Sequence, residues 1–192
     1  MNIRKRFWIF AATVGIVLVA VWIGCFLRIN RAYPQAELIR VGLNEPLQYG
    51  LYTVTVSEAH IEDTFALYEK YELSADYKTL PEKTLMCTVN IRRTKPDLKD
   101  SSQHSLNLSY ITAVSGAWRN MADLSELFES LNSGVVTPSR LQQGEQQSYT
   151  LAFGLWKDSF SPTHWERLDE IPFAIQLSIY PQKNEISLGA LK

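Results

Sequence analysis

The sequence predicts a mainly-β protein, an antiparallel β-sandwich with one or two short helices, preceded by a transmembrane helix. Phe7 to Leu27 is 21 residues without a charge, enough at about 1.5 Å per residue to cross a bilayer core. Beyond it, five segments alternate apolar and polar residues with period two, the mark of strands that bury one face and wet the other. A Gly-rich strand-to-helix unit is absent from the sequence, which argues against a dinucleotide or P-loop α/β fold.

Residues 1–6 form a short basic tail in which Arg4, Lys5 and Arg6 precede the apolar run. Trp8 and Trp22 lie near its two ends, where an indole prefers the headgroup boundary. A cleaved signal peptide has a shorter apolar core and a small-x-small exit. Lipidation at Cys25 is the competing reading, because Ile23-Gly24-Cys25 partly matches a lipoprotein cleavage site, although Trp22 and the continuing Phe26-Leu27 do not. A buried helix of a soluble core rarely runs this far without a polar side. The expectation is an uncleaved signal anchor over 7–27, with the N-terminus cytoplasmic by its basic bias.

A tether over 28–36 follows, with Pro34 disfavouring helix through Tyr33. The remainder, 37–192, is expected to be one extracytoplasmic domain. Three of the nineteen basic residues fall in the tail, leaving sixteen bases against twenty acids over everything beyond it, tether included, a balance of −4. Such a domain is no nucleic-acid binder working through a basic field.

The strand candidates come in order. Tyr52, Val54 and Val56 alternate with Thr53, Thr55 and Ser57, and Leu85, Cys87, Val89 and Ile91 with Met86, Thr88, Asn90 and Arg92. Leu106, Leu108 and Tyr110 form a third row, Tyr149, Leu151, Phe153 and Leu155 a fourth, and Phe173, Ile175, Leu177 and Ile179 a fifth. Glu37–Val41, Val135–Arg140 and Glu185–Leu188 are shorter candidates. Met121, Leu124, Leu127, Phe128 and Leu131 recur at helical spacing between Asn120, a candidate cap, and Gly134. That predicts about three helical turns over an open end or edge of the sandwich. Ser161-Pro162 opens a second short helix through Leu168.

Residues 59–82 read as an acidic insertion with a weak helical stripe. Phe65, Tyr68, Tyr71 and Tyr77 interleave with its acids and make it the candidate partner-binding loop, since Tyr brings contact area with one polar tip. Its carboxylates lack the spacing of a calcium loop. His60, His104 and His164 show no paired spacing for zinc, and Cys87, on an apolar row, reads as a small hydrophobe. Val114-Ser115-Gly116 reads as a turn, Arg92, Arg93 and Lys95 as a solvated strand end, and the Asn107-Leu108-Ser109 sequon as chance on a strand. No catalytic residue, metal site or cofactor is expected.

Leu47–Ile61, Thr84–Ile91, Leu141–Phe153 and the Phe173–Leu188 hairpin with Tyr180-Pro181 carry a resemblance. They resemble small signal-anchored Gram-positive surface proteins of unknown function, whose domains are telokin-like, immunoglobulin-related β-sandwiches. The resemblance implies an immunoglobulin-like fold and supplies no catalytic residue. The expected function is a membrane-anchored binding or scaffold domain, not an enzyme, that meets an envelope protein, a wall polymer or an exported peptide. An extracytoplasmic hydrolase and an accessory subunit of a membrane transporter are the alternatives.

Overall fold

The computed structural model describes residues 3–74, 76–96 and 106–191; Ile3, Arg4, Lys5, Arg6, Phe7, Ile9, Ala11 and Tyr77 are described by their backbone alone. The chain divides into two units, Met1–Glu37 and Leu38–Lys192.

The first unit is one helix, α1 (Ile3–Ala32), about 45 Å long at 1.5 Å per residue. It continues five residues past Leu27, into the segment expected to be tether, because nothing between Arg28 and Ala32 disfavours helix until Pro34 constrains Tyr33. Its stretch Ala12–Ala32 is long and apolar enough to cross a membrane by length and composition, and none of it is buried within the protein.

The second unit is a β-sandwich. One sheet orders its strands β1 (Glu37–Val41), β9 (Gln182–Gly189), β8 (Phe173–Ser178), β5 (Thr112–Ser115) and β6 (Trp118–Met121). The other orders β2 (Leu47–Tyr49), β3 (Tyr52–Asp63), β4 (Lys83–Arg93) and β7 (Gln146–Leu155). The inward rows of β4 and β7 interlock in register, with Leu85 opposite Phe153, Cys87 opposite Leu151 and Val89 opposite Tyr149. They pack on Ile111, Ala113, Phe173, Ile175, Leu177, Ile186 and Leu188 of the facing layer. This is the alternation that the sequence displays for β4, β7 and β8.

β3 is longer than its alternation suggests. A bulge at Ser57 shifts the register between Val56 and Glu58, so the inward row passes from Val54 and Val56 to Ala59 and Ile61. The first five residues of the expected insertion are therefore strand, and 64–82 leaves the sheet. There α2 (Thr64–Lys70) begins where the Asp63 carboxylate accepts from the Ala66 N–H at 3.0 Å.

Three further expectations change. Leu106–Tyr110 is no strand: a 3₁₀ turn covers Leu108–Tyr110, where the Asn107 side chain accepts from the Ser109 N–H at 2.9 Å. The sequon thus sits at a turn. Val135–Arg140 holds a 3₁₀ turn over Pro138–Arg140, since Pro138 has no N–H for a ladder. The helix expected from Asn120 is only α3 (Glu126–Leu131), because Gly116, at φ +57°, closes a two-residue hairpin that draws Trp118–Met121 into β6. α4 (Pro162–Glu166) starts at Ser161, whose Oγ accepts from the His164 N–H at 3.3 Å, as the Ser-Pro pair predicts.

α2 and α3 lie on the outer face of the four-stranded sheet rather than over an end. Leu67, Tyr68 and Leu127 cluster there with Met86 and Ala152, which stand opposite each other on β4 and β7. Asn132, just past α3, fixes this packing. Its amide Nδ2 donates to the carbonyls of Phe128 (2.9 Å) and Thr150 (2.8 Å), and its Oδ1 accepts from the Thr150 N–H at 2.7 Å. Asn132→Ala leaves the Thr150 peptide groups unsatisfied in a buried setting. Its expected cost is about 2–3 kcal/mol, read as a lower denaturation midpoint at unchanged slope.

Candidate functional site

An added strand needs an open sheet edge, and β7 does not offer one. The carbonyls of Thr150, Ala152 and Gly154 point along its free edge, and each is taken. Asn132 Nδ2 reaches Thr150, the Asp123 N–H reaches Ala152 at 2.8 Å, and Asn120 Nδ2 reaches Gly154 at 2.8 Å. The connection from β6 to α3 thereby seals the edge, with a bridge between Asp123 and Ala152. Asn120, expected as a helix cap, serves here instead. The other edge strands are β2 in the same sheet and β1 and β6 in the five-stranded sheet.

The principal exposed apolar feature lies elsewhere. A groove of about 700 Å³ runs beside the ends of β5, β6 and β8. Tyr110 (73 % exposed), Met121 (61 %), Ile179 (58 %) and Tyr180 (56 %) line it, together with Thr112 and Arg119. Large apolar side chains gathered this way on a folded surface mark an interaction site. A second concavity of about 360 Å³ shares Tyr49, Ser178 and Tyr180 and adds Gln48, Gln182 and Asn184. A third, of about 420 Å³, is lined by Leu106, Leu108, Leu124, Phe128, Val135 and Tyr149. There the Tyr149 hydroxyl donates to the Val136 carbonyl at 2.7 Å, and burial, with a smaller contribution from Tyr52, pushes its pKa up to about 12.

The outer face of the five-stranded sheet extends the groove. Met121 stands opposite Thr112, Thr112 opposite Gln176, and Gln176 opposite Glu185, one row across four strands. Hydrogen bonds stitch it. Arg119 donates to Gln176 Oε1 at 2.7 Å, and Gln176 Nε2 donates to Glu185 Oε1 at 3.1 Å. Arg40 Nη2 and Lys183 Nζ pair with the same carboxylate at 2.6 and 2.5 Å. Glu185 is 1 % exposed. Burial by itself raises its pKa, but donation and charge from Lys183 and Arg40 outweigh that and hold the carboxyl below its ordinary 4.5.

A carboxyl whose folded pKa is depressed stabilises the fold above its unfolded pKa. That contribution disappears as pH falls through the folded value. The protein should therefore lose denaturant resistance below about pH 4.5, and Glu185→Gln should flatten this part of the pH profile. Parallel profiles for the two proteins would exclude Glu185 as the source.

The expected partner loop looks different in three dimensions. Tyr68 is 8 % exposed and belongs to the cluster under α2 and α3; Tyr71 packs partly against that cluster, and Phe65 is half-buried. The side chain of Tyr77 lies outside the described residues. The aromatic spacing is the inward stripe of α2, so no exposed tyrosine patch forms there from the described residues. Burial, then the nearby Asp123 and Glu126, raises the Tyr68 pKa.

Of the proposed anchor residues, Trp8 and Trp22 are exposed on α1, and Trp22 stacks on Phe26 at 5.7 Å between ring centroids. The side chains of Arg4, Lys5 and Arg6 lie outside the described residues. Arg93 is not solvated: it is buried and donates to the Leu141 carbonyl at 2.7 Å. Cys87 is 1 % exposed, and burial pushes its thiol pKa far up, which suits a packing role. His60 bonds Glu62 at 2.8 Å on the open face of β3, His164 borders a concavity beside Trp118 and Phe160, and His104 lies outside the described residues. Among the described residues no three His, Cys, Asp or Glu side chains gather to hold a metal.

Sequence reasoning placed the groove residues in other roles. Tyr110 and Ile179 end rows read as buried, and Met121 begins a stripe read as helical. Their exposure follows from the turns that stop β8 and replace the third row, which period-two reading cannot see.

One solved structure shares the architecture, and others superpose less well. The secreted protein MPT63 from Mycobacterium tuberculosis superposes with a TM-score of 0.50 at 10 % identity, over 80 % of this chain and 98 % of that one. A functionally unknown protein from Listeria monocytogenes gives 0.48 at 10 % identity, over 77 % and 82 %. An uncharacterized β-sandwich protein from Clostridium difficile gives 0.44 at 10 % identity, over 80 % and 95 %. At such identity the likeness to MPT63 is one of fold. No curated protein matches the chain. A family model does, over residues 31–184, and the protein therefore belongs to the family of a domain of unknown function, DUF5028.

Proposed function

We propose that this protein is a single-pass, membrane-anchored binding module. α1 acts as an uncleaved signal anchor with its N-terminus in the cytoplasm, and the immunoglobulin-like sandwich is displayed outside the cytoplasmic membrane. The role is presentation and contact rather than chemistry. The partner is a component of the cell envelope: an envelope protein, a wall polymer or an exported peptide.

The observation that carries this reading is the groove beside β5, β6 and β8, where four large apolar side chains stand more than half exposed. A folded domain leaves such a surface uncovered when something else covers it. The titratable pairs His60–Glu62 and Arg167–Glu170 sit away from that groove, and the one cluster beside it, Glu185 with Arg40 and Lys183, is saturated by its own ion pairs. With β7 covered over Thr150–Gly154, partner contact falls to the groove and to the edges at β1, β2 and β6.

A photo-crosslinker at position 180 in the full-length protein tests the site in intact cells, with position 68 as the buried control. Adducts from 180 and none from 68 support the groove; equal labelling, or none, refutes it. External protease on protoplasts should digest the domain, and intact mass should show residues 1–24 retained. Protection of the domain would overturn the topology, and a mass beginning at Cys25 with added lipid would replace the anchor by lipidation.

A further inference from the structure

The outer face of the five-stranded sheet and the four exposed apolar side chains beside it form one surface, and its electrical character is opposite to that of the domain. Residues 38–192 carry fourteen bases and nineteen acids, a balance of −5. On this face, among the described residues, stand Arg40, Arg119 and Lys183 with a single carboxylate, Glu185, which is buried beneath two of them. The groove lining contains no acid among the described residues. Glu62 lies on the outer side of β3, and Asp123 and Glu126 lie near Tyr68 on the other sheet. The face is thus locally cationic on a domain that is acidic as a whole.

From this polarity we infer that the face is a docking surface for an anionic lipid bilayer. Tyr, Ile and Met exposed beside Arg and Lys match the chemistry of a membrane interface, where amphipathic rings settle among headgroups and cations meet lipid phosphates. Each cation near an anionic bilayer strengthens association about fivefold. Three cations offset by one carboxylate make this a weak surface in free solution. Attachment to the same membrane raises the local lipid concentration and makes weak affinity sufficient. The inference rests on the anchored reading of α1 and narrows the occupant of the groove from an envelope partner to charged lipid itself, so that lipid adducts from a crosslinker at position 180 are the expected ones.

The experiment uses the full-length protein in nanodiscs of phosphatidylcholine alone or mixed with phosphatidylglycerol. Co-elution of protein with discs reads the anchor; amide hydrogen exchange over 118–121 and 178–182 reads the face. Slower exchange in the phosphatidylglycerol discs, abolished by salt, supports the inference. Arg119→Gln should weaken the protection about fivefold, and Tyr180→Ser should weaken it while the exchange of the buried β4 stays as in the parent. Equal exchange in both disc types, with co-elution intact, overturns the docking and leaves the anchor standing. Failure to co-elute overturns both. Protection that arises only when a soluble anionic wall polymer is added to phosphatidylcholine discs overturns the lipid as occupant in favour of the polymer.

Discussion

Phe153→Ala should lower the stability of the sandwich by about 3–5 kcal/mol, a large part of the roughly 5–15 kcal/mol that holds a domain of this kind together. Phe153 is fully buried on β7, opposite Leu85 of β4, and belongs to the cluster that joins both sheets. Truncation forfeits the transfer of an aromatic ring and leaves a void that the surroundings close only in part, because the neighbouring β4 is held by ladders to both β3 and β7. Denaturant unfolding of the full-length protein in detergent, followed by tryptophan fluorescence, gives the cost. Tyr110→Ala, at a side chain mostly in solvent, should stay within about 0.5 kcal/mol of the parent. A Phe153 cost no larger than that of Tyr110 would mean that the inter-sheet core is not where stability resides.

The same comparison explains what could be read from the residues alone. β4, β7 and β8 are legible because each buries one face along its whole length, so inward side chains recur every second residue. β3 is legible only as far as Val56. The bulge at Ser57 inserts one residue, the inward row changes parity, and Ala59 and Ile61 then fall where an unbroken alternation expects polar residues. The third expected row failed for a different reason. Leu106 and Leu108 are buried, as the row requires, but they are buried from a turn that Asn107 stabilises, and burial alone does not distinguish the two backbones.

The candidate site was the least legible part, since its position depends on which apolar residues the fold leaves uncovered. Tyr68 and Tyr180 look alike in the sequence: each is a tyrosine near an apolar neighbour and a turn. Tyr68 points beneath α2 because the four-stranded sheet carries helices on its outer side, with Met86 and Ala152 as their footing. Tyr180 follows the end of β8, where the chain turns toward β9, and remains more than half exposed. The choice between core and contact surface is made by the layer order, a long-range property.

Leu18→Arg should abolish stable membrane retention of the chain, the largest effect expected from any single substitution in α1. Two placements of the span are available, Phe7–Leu27 from the uncharged run and Ala12–Ala32 from the apolar helix. In the second, Arg28 and Arg31 lie within the last turns and reach outward along their stems. Leu18 lies within the apolar stretch in either placement, one residue from the centre of the first and four from that of the second. An arginine there costs about 2.5–3.5 kcal/mol at insertion, and the described residues contain no second span to shelter the charge. Carbonate-washed membranes from cells expressing the variant should contain little full-length protein, while Leu18→Ile should be retained like the parent. If Leu18→Arg stays in the washed membrane as the parent does, α1 is not held by the lipid core. The attachment would then lie in the sandwich, and its cationic face would become the first surface to dismantle.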